Sequence, residues 1–243
     1  MADKIEGIVL SVRKYNDRNS IVTLFTREYG RLSFISPAGN GKASNVRRAR
    51  LQPLSVVASE IRYNPAKELQ RLGSVSSPMV WQDIYSNPMK RGVALFISEF
   101  LSKLLNETAP DKSLYDFLVG ALEFLDTMDK GLADFHIPFL VSLLSFSGIQ
   151  PDISKYRPGY VFEFASGSFV PEYEAKPPVL SNEEGKMAAF VARINFSNMK
   201  CLRLTAANRR QILYGILNYY SYHFPGLGSL KSPEILREVF SSG

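Results

Sequence analysis

The stretch that decides the fold is Ser20–Ile35, which reads SIVTLFTREYGRLSFI. Its two halves, Ile21–Thr26 and Leu32–Ile35, are rich in β-branched and aromatic residues, which favour strands. Between them, Glu28-Tyr29-Gly30 is a turn signal. The stretch therefore predicts two short strands that follow each other closely along the chain.

The same strand-like pattern extends over the first eighty residues. Ile8, Leu10 and Val12 alternate with more polar or smaller neighbours, and two further candidate strands lie at Val56–Tyr63 and Glu68–Val75. Five short strands without an intervening helix favour a small antiparallel barrel, because closure removes exposed strand edges. We therefore predict an OB-fold barrel in residues 1–80, with a flexible glycine loop at Pro37–Gly41.

After Pro88 the apolar residues recur with the period of a helix, first in the stripe from Val93 to Leu105. Residues 81–243 are predicted to form a mostly helical domain, which makes the fold class α+β. Residues 149–180 interrupt the helical pattern with aromatic residues, prolines and glycines, and they predict a small irregular or β insert with a hairpin around Ser166-Gly167-Ser168.

Several residues predict helix starts. Ser181 with Glu184 has the spacing of a capping box, and Thr205 precedes the apolar stripe of a later helix. Ser113 with Asp116 resembles a cap of the same kind, and Pro233 suits the first turn of a last helix. Pro138 should start or kink the helix that contains it.

Charge is distributed unevenly. Residues 1–80 hold 13 Lys/Arg against 6 Asp/Glu, a net of +7, whereas the remainder holds 16 against 17, a net of −1. Tyr29–Ser59 contains no acidic residue. An acid-free basic segment is typical of a surface that binds a polyanion, although a plain solvated surface is the alternative. We therefore predict that residues 1–80 form a nucleic-acid-binding domain. Its predicted binding residues are Arg31, Lys42, Arg47, Arg48 and Arg50, with Arg13, Lys14 and Arg18 as outer members.

Aromatic side chains could add base stacking to such a surface. Tyr15, Tyr29 and Phe34 are the candidates, with a place in the barrel core or rim as the alternative for each.

No pattern for catalysis, a metal or a cofactor is visible. Cys201 is the one cysteine, and His136 and His223 are too far apart along the chain to suggest a metal site. Neither a phosphate-binding loop nor a Gly-x-Ser-x-Gly turn occurs. No apolar run of membrane-spanning length is present, and Met1–Glu6 lacks the apolar core of a signal peptide. We therefore expect a soluble, cytoplasmic protein that is not an enzyme.

The chain resembles the bacterial RecO family of DNA repair proteins, and the resemblance extends over essentially its whole length. It is most specific in the first third and recurs in the middle and near the end. The segments that carry it are Gly7–Tyr15, Ser20–Leu32, Leu51–Leu54, Gly148–Asp152 and Leu230–Glu238.

The resemblance implies a recombination mediator. Such proteins bind single- and double-stranded DNA, anneal complementary strands, engage single-strand-binding protein and work with RecR to load RecA at gaps. It further implies a nucleoid-associated protein, and we expect a monomer. For the acidic, apolar-ended tail of single-strand-binding protein, Arg203, Arg209 and Arg210 are candidate contacts, with a solvated helix start as the alternative.

The chain departs from the family in one respect. Many of its members carry a four-cysteine zinc site after the Pro-Asp segment, whereas residues 153–176 contain no cysteine here. We hypothesise that an apolar cluster in Tyr160–Phe169 takes the place of the metal.

Other classes of protein share these features. An RNA- or ribosome-associated OB-fold protein would have the same barrel and basic segment. A protein-interaction scaffold would use the helices for binding and the basic segment only for solubility. An enzyme with an unrecognised site is a further, disfavoured alternative.

Overall fold

A computed structural model describes residues 2–39, 41–106, 109–202 and 204–241. The chain forms two compact units. The barrel unit comprises Met1–Met128 together with Ser229–Gly243, and the second unit comprises Asp129–Gly228. The predicted division between residues 80 and 81 followed sequence texture, and it stays a prediction about independent folding.

The barrel unit is built on one curled sheet of six strands. In order across the sheet, with neighbours hydrogen-bonded, the strands are β5, β3, β2, β1, β4 and β6. All neighbours are antiparallel except β3 and β5. The two edge strands follow each other in sequence with only residues 72–74 between them, so the sheet curls back on itself. The strands are β1 Asp3–Lys14, β2 Asn19–Thr26, β3 Gly30–Pro37, β4 Val56–Ile61, β5 Leu69–Arg71 and β6 Val75–Ser76.

The predicted α+β class with an N-terminal OB-type barrel is confirmed, but two details of the prediction were wrong. The sheet has six strands rather than five, because Glu68–Val75 breaks into β5 and β6. A helix, α1 (Lys42–Arg50), lies between β3 and β4, where we expected a basic loop and no helix. Alanine and arginine favour a helix, and three arginines in its last turn suit the helix dipole. The helix buries none of its residues, so it has no apolar stripe by which the sequence could reveal it.

Alternation along the strands produces the barrel core. The inward-facing residues pack into one apolar cluster, to which Leu51, just after α1, also belongs. The outward side of β1 and β2 is covered as well, since Ile8 and Phe25 are fully buried. The core cluster consists of Ile5, Val9, Val22, Leu24, Phe34, Leu51, Val57, Ile61, Leu72 and Val75.

Three helices complete the barrel unit: α2 (Pro88–Leu104), α3 (Lys112–Thr127) and α7 (Ser232–Ser241). The predicted stripe of α2 is confirmed, because its apolar members from Val93 to Leu101 are buried. The predicted cap of α3 was wrong: Asp111, not Ser113, precedes the helix and accepts a hydrogen bond from the Leu114 amide at 2.9 Å.

The C-terminal helix returns to α2. Glu99 on α2 accepts hydrogen bonds from the Ser232 amide at 2.8 Å, from the Ser232 hydroxyl at 2.5 Å and from the Lys231 amide at 3.1 Å. Burial raises the pKa of Glu99, but these bonds and the charge of Lys103 outweigh it, and the net pKa is lowered. The carboxylate thus takes up amide donors at the start of α7, where negative charge is favourable.

The second unit combines helices with a small sheet. Its helices are α4 (His136–Phe146), α5 (Asn182–Val191) and α6 (Ala206–His223), and its strands are β7 (Tyr160–Glu163), β8 (Ser168–Pro171) and β9 (Val179–Leu180). The sheet order is β8, β7, β9, and the predicted hairpin is confirmed.

The helix starts of this unit are largely as predicted. Ser181 and Glu184 form a capping box on α5, and Thr205 caps α6. Pro138 falls in the first turn of α4, so it starts that helix and does not kink it.

An aromatic cluster holds this small sheet against α6. Phe162 lies 5.2 Å from Phe169 and 5.4 Å from Tyr219, measured between ring centroids, and Phe164 lies 5.4 Å from Tyr219. The apolar cluster that we predicted in Tyr160–Phe169 is therefore present. Within the described residues, no group of three or more His, Cys, Asp or Glu side chains is placed to hold a metal ion. In the same part of the chain, no helix has the length and apolar character that crossing a membrane requires.

Candidate nucleic-acid interface

One end of the barrel gathers most of the predicted DNA-binding residues. Asn19 on β2 pairs with Pro37 on β3, and the Ala38 amide donates to the Arg18 carbonyl at 2.8 Å. The turn between β1 and β2 therefore lies beside the segment that enters α1. We call this the basic end of the barrel and define it by Lys14, Arg18, Lys42, Arg48 and Arg50, all exposed.

Arg47 is structural in its contacts. Its Nε donates to the Ser36 hydroxyl at 2.8 Å, and its Nη2 donates to the carbonyls of Leu72 at 3.0 Å and Gly73 at 2.8 Å. Burial lowers the pKa of this guanidinium. Arg47 therefore fastens α1 to the segment that joins β5 and β6.

Arg48 and Arg50 combine one backbone contact with exposure. Arg50 donates to the Val75 carbonyl at 2.6 Å, and Arg48 donates to the Gly39 carbonyl at 3.2 Å. Lys42, in the first turn of α1, is also exposed. These three cations can meet a phosphate without first leaving a buried position.

Arg31 lies on the outer face of the sheet, away from α1. It donates to the Ser102 carbonyl at 2.6 Å and to the Leu105 carbonyl at 3.4 Å, at the C-terminal end of α2. There it satisfies carbonyls that the helix leaves open. Burial lowers the pKa of Arg31, and the positive charge of nearby Arg13 lowers it further.

Arg71 is a basic residue of this face that was not among the predicted DNA-binding residues. Strand register places Arg13, Ile21, Ile35 and Arg71 in one row across β1, β2, β3 and β5. Arg13 and Arg71 are both exposed and lie three strand spacings apart, about 14 Å. The sequence predicted a strand in Glu68–Val75, but it did not predict the parallel pairing of β5 with β3.

Lys14 belongs to the basic end but is partly neutralised. Its ammonium lies 2.7 Å from the Asp17 carboxylate, and both groups are exposed. Such pairs contribute little to stability and open easily.

The three aromatic candidates for base stacking differ in burial and packing. Phe34 is fully buried in the barrel core, which is the alternative that we gave for it, so it is not a base-stacking residue. Tyr29 lies in the turn between β2 and β3 and packs on Tyr63 with 4.4 Å between ring centroids. Tyr15 lies in the turn at the basic end and is 57% exposed, which leaves its ring available.

The predicted partner-binding arginines lie in the second unit, and they differ in environment. Arg209 donates to the Asp134 carboxylate at 2.6 Å, so its charge is already paired. Arg210 is exposed at the start of α6, and Arg203 lies outside the described residues. Gln211 and Ile212, which follow Arg210 in sequence, line an apolar cavity of about 80 Å³. Its lining includes Leu144, Phe162, Val191, Ile212 and Ile216, with Glu184 and Gln211 as polar members.

Comparison with known proteins gives a consistent result along the chain. The family description "Recombination protein O N terminal" matches residues 1–77, and "Recombination protein O C terminal" matches residues 86–234. A DNA repair protein RecO of Phocaeicola vulgatus is 32% identical over 241 residues, covering 99% of this chain and 100% of the relative. That of Porphyromonas gingivalis is 34% identical over 239 residues (96% and 97%), and that of Flavobacterium psychrophilum is 32% identical over 242 residues (99% and 100%).

The fold and these matches define a DNA repair protein with an N-terminal OB-fold. The chain belongs to the recombination protein O family. Its role accordingly lies in DNA repair and recombination.

Proposed function

We propose that this protein is a recombination mediator. It binds single- and double-stranded DNA, anneals complementary strands and helps to load RecA at gaps covered by single-strand-binding protein. The observation that carries the DNA half of this proposal is the exposure of Lys42, Arg48 and Arg50 on one short helix at the basic end. That helix lies in a segment, Tyr29–Ser59, without any carboxylate side chain.

Annealing at this surface needs charge rather than a catalytic side chain. Two DNA strands repel each other through their phosphates, and a basic surface that contacts both lowers this repulsion. Contacts of Lys and Arg with phosphates release counterions and carry little sequence preference. We therefore expect affinity that falls steeply with salt and depends weakly on sequence.

The test is fluorescence-anisotropy binding of a labelled single strand across a salt series. In the variant Lys42→Ala/Arg48→Ala/Arg50→Ala, the slope of log affinity against log salt should become shallower by about 2, which is three lost contacts on a single strand. Arg47 is left in place because it holds α1 on the barrel. The control variant Lys112→Ala/Lys130→Ala/Lys186→Ala removes three exposed cations elsewhere and should keep the wild-type slope.

Equal slopes in both variants would remove the basic end as the DNA surface. Tighter binding of a structured RNA at matched salt would favour the RNA-associated alternative. Absence of salt-dependent binding to any nucleic acid would favour the scaffold.

We further propose that the tail of single-strand-binding protein docks on the second unit, with its apolar end in the cavity and its acidic residues near Arg210. An apolar lining and an exposed cation on a helix that contributes to that lining suit such a tail. A tail peptide should bind more weakly to Arg210→Ala than to wild type, as measured by calorimetry. Equal affinities would remove Arg210 from the site.

RecR enters as a partner through the family resemblance, and we place the protein in the cytoplasm with the nucleoid. Sedimentation velocity of the protein alone tests the proposed monomer. The same measurement on a mixture with RecR tests whether the two associate.

A further inference from the structure

A cleft lies between α1 and the edge strand β6. Ala43, Val46, Arg47 and Arg50 follow the i, i+3, i+4, i+7 spacing, so they share one face of α1. The opposite wall consists of Ser74 and Val75, with Pro37 and Ser44 completing the lining. The cleft has a volume of about 320 Å³, which lies at the lower end of the range for small-molecule sites.

The cleft offers apolar surface on an otherwise polar helix. Val46 is 44% exposed, although α1 is composed mainly of charged and polar residues and alanine. Pro37 and Ala43, both exposed, add apolar surface, whereas Val75 is 7% exposed and belongs to the barrel core. A single exposed valine is ordinary, but here it lies in a concave site together with other apolar groups.

Two guanidinium groups are fixed at the wall of this cleft. Arg47 is held by the carbonyls of Leu72 and Gly73, and Arg50 is held by the carbonyl of Val75. Because a guanidinium is planar and weakly hydrated, it can stack on a flat ring while its edge keeps its hydrogen bonds. Arg side chains receive unstacked bases in this way in complexes with single strands.

The charges around the cleft select the occupant. Lys42 and Arg48 are exposed on the other sides of α1, and the surrounding segment Tyr29–Ser59 has no carboxylate side chain. The fitting ligand has a flat, partly apolar group joined to a chain of negative charges. A nucleobase on a phosphate backbone meets both requirements.

We propose that this cleft accepts one unstacked base of a single strand, while the phosphates on either side of that base follow Lys42 and Arg48. The inference rests on the proposed DNA binding and adds to it a base-contacting site. A base pair of a duplex must open before one of its bases can fill the cleft, and this opening costs free energy. A base in a single strand is already unpaired and has no such cost. The cleft therefore favours single strands and frayed ends over intact duplex.

The test separates base contacts from phosphate contacts. Affinities are measured for an oligothymidylate and for an abasic oligomer of the same length and charge. Wild type should bind the oligothymidylate about tenfold more tightly, which is the lower part of the range for stacking one base. In Val46→Trp, whose side chain fills the cleft, the ratio should fall close to one while the salt dependence stays as in wild type.

A matched variant controls for bulk on the same helix. Ala49→Trp adds the same side chain at an exposed position outside the cleft lining, and it should keep the wild-type ratio. Thermal unfolding checks that each variant is folded. If Val46→Trp unfolds, Val46→Ala takes its place, with a smaller fall in the ratio as the expected result.

The outcomes distinguish this inference from the proposed function. Equal binding of both oligomers by wild type, with normal salt dependence, leaves DNA binding intact and overturns the cleft. An unchanged ratio in Val46→Trp overturns it as well. Loss of an acidic, apolar-ended peptide from Val46→Trp with no change in the base ratio would assign the cleft to a protein ligand. Absence of salt-dependent binding to either oligomer removes the proposed function together with the cleft.

Discussion

At the scale of single residues, Arg47 and Lys42 show why equal charges in one helix have unequal roles. Arg47 makes three hydrogen bonds to Ser36, Leu72 and Gly73, and it is half-buried. Lys42 is exposed. Substitution of Arg47 should therefore change the free energy of unfolding more than substitution of Lys42.

Arg47→Ala should lower the free energy of unfolding by about 2–3 kcal/mol, because carbonyls lose a charged donor in a half-buried place. Lys42→Ala should stay within about 0.5 kcal/mol of wild type, as exposed substitutions usually do. Urea unfolding followed by circular dichroism measures both. Similar losses in the two variants would contradict the structural role of Arg47.

The sequence predicts that the segment Tyr29–Ser59 is basic. It does not show which of its basic residues are exposed and which are held by hydrogen bonds. The bonds that occupy Arg47 reach Leu72 and Gly73, which lie 25 and 26 residues further along the chain. Arg31 reaches Ser102, 71 residues away. Such pairings depend on how the barrel curls and where α2 ends, and neither is encoded locally. The same holds for Arg71, whose place beside Arg13 depends on the parallel pairing of β5 with β3.

His136 carries a pH dependence of stability. It lies in α4 with 1% of its surface exposed, and burial, followed by the charge of Arg209, lowers its pKa to about 3. An unfolded chain binds a proton at this histidine near pH 6.5, whereas the folded protein does not. Stability should therefore fall as the pH drops below 6.5 toward 3.

Between about pH 7 and pH 5.5, His136 should account for a loss of about 1 kcal/mol in the free energy of unfolding. Urea unfolding of wild type and His136→Met at both pH values measures this loss, which should be absent from the variant. The same slope in both proteins would show that other groups cause it.

At the scale of elements, α1 and the aromatic cluster show two kinds of feature that hydrophobic patterns in the sequence do not predict. The stripe of α2 was predicted because its apolar face is buried, whereas α1 was missed because it buries nothing and is held by arginine hydrogen bonds. The cluster in Tyr160–Phe169 was foreseen as a group of apolar residues. Its partner Tyr219 on α6 was not foreseen, because nearly fifty residues of chain separate the two segments.

The second unit should keep its small sheet without a metal. Phe169 is 1% exposed and contacts Phe162 and Tyr156, so Phe169→Ala should lower the free energy of unfolding by about 3–5 kcal/mol. Tyr173→Ala, at a position 86% exposed, is the control and should change it by less than about 0.5 kcal/mol. A chelator should leave the melting temperature of wild type unchanged. Stoichiometric zinc in elemental analysis of the purified protein would contradict the replacement of the metal by this cluster.

At the scale of the whole molecule, strand-like sequence gives way to helix-like sequence near residue 80, whereas the compact unit that contains the barrel extends to Met128. The α+β class and the position of the barrel follow from local patterns of period two and period 3.6. Which helices belong to the same compact unit as the barrel does not follow from them, because α2 and α3 follow the barrel in sequence whereas α7 comes from the far end of the chain and packs on α2.

The outer side of the barrel depends on these helices. The Ser98 hydroxyl on α2 donates to the Leu10 carbonyl at 2.7 Å. Tyr115 on α3 donates to the Glu6 carboxylate at 3.1 Å and lies 6.4 Å from Phe25 between ring centroids. Removal of α2 and α3 would expose the fully buried Phe25 to water, and a small barrel has little other burial with which to offset that loss.

We therefore expect residues 1–80 alone to unfold without a cooperative transition and to bind a hydrophobic dye. Residues 1–128 joined by a flexible Gly/Ser linker to residues 229–243 should melt cooperatively, because this fragment restores α2, α3 and α7. Circular-dichroism melting and dye fluorescence of the two fragments make the comparison. Cooperative melting of residues 1–80 would show that the barrel folds independently, as the division at residue 80 predicts. Failure of the longer fragment alongside the shorter one would show that the barrel unit also needs residues 129–228.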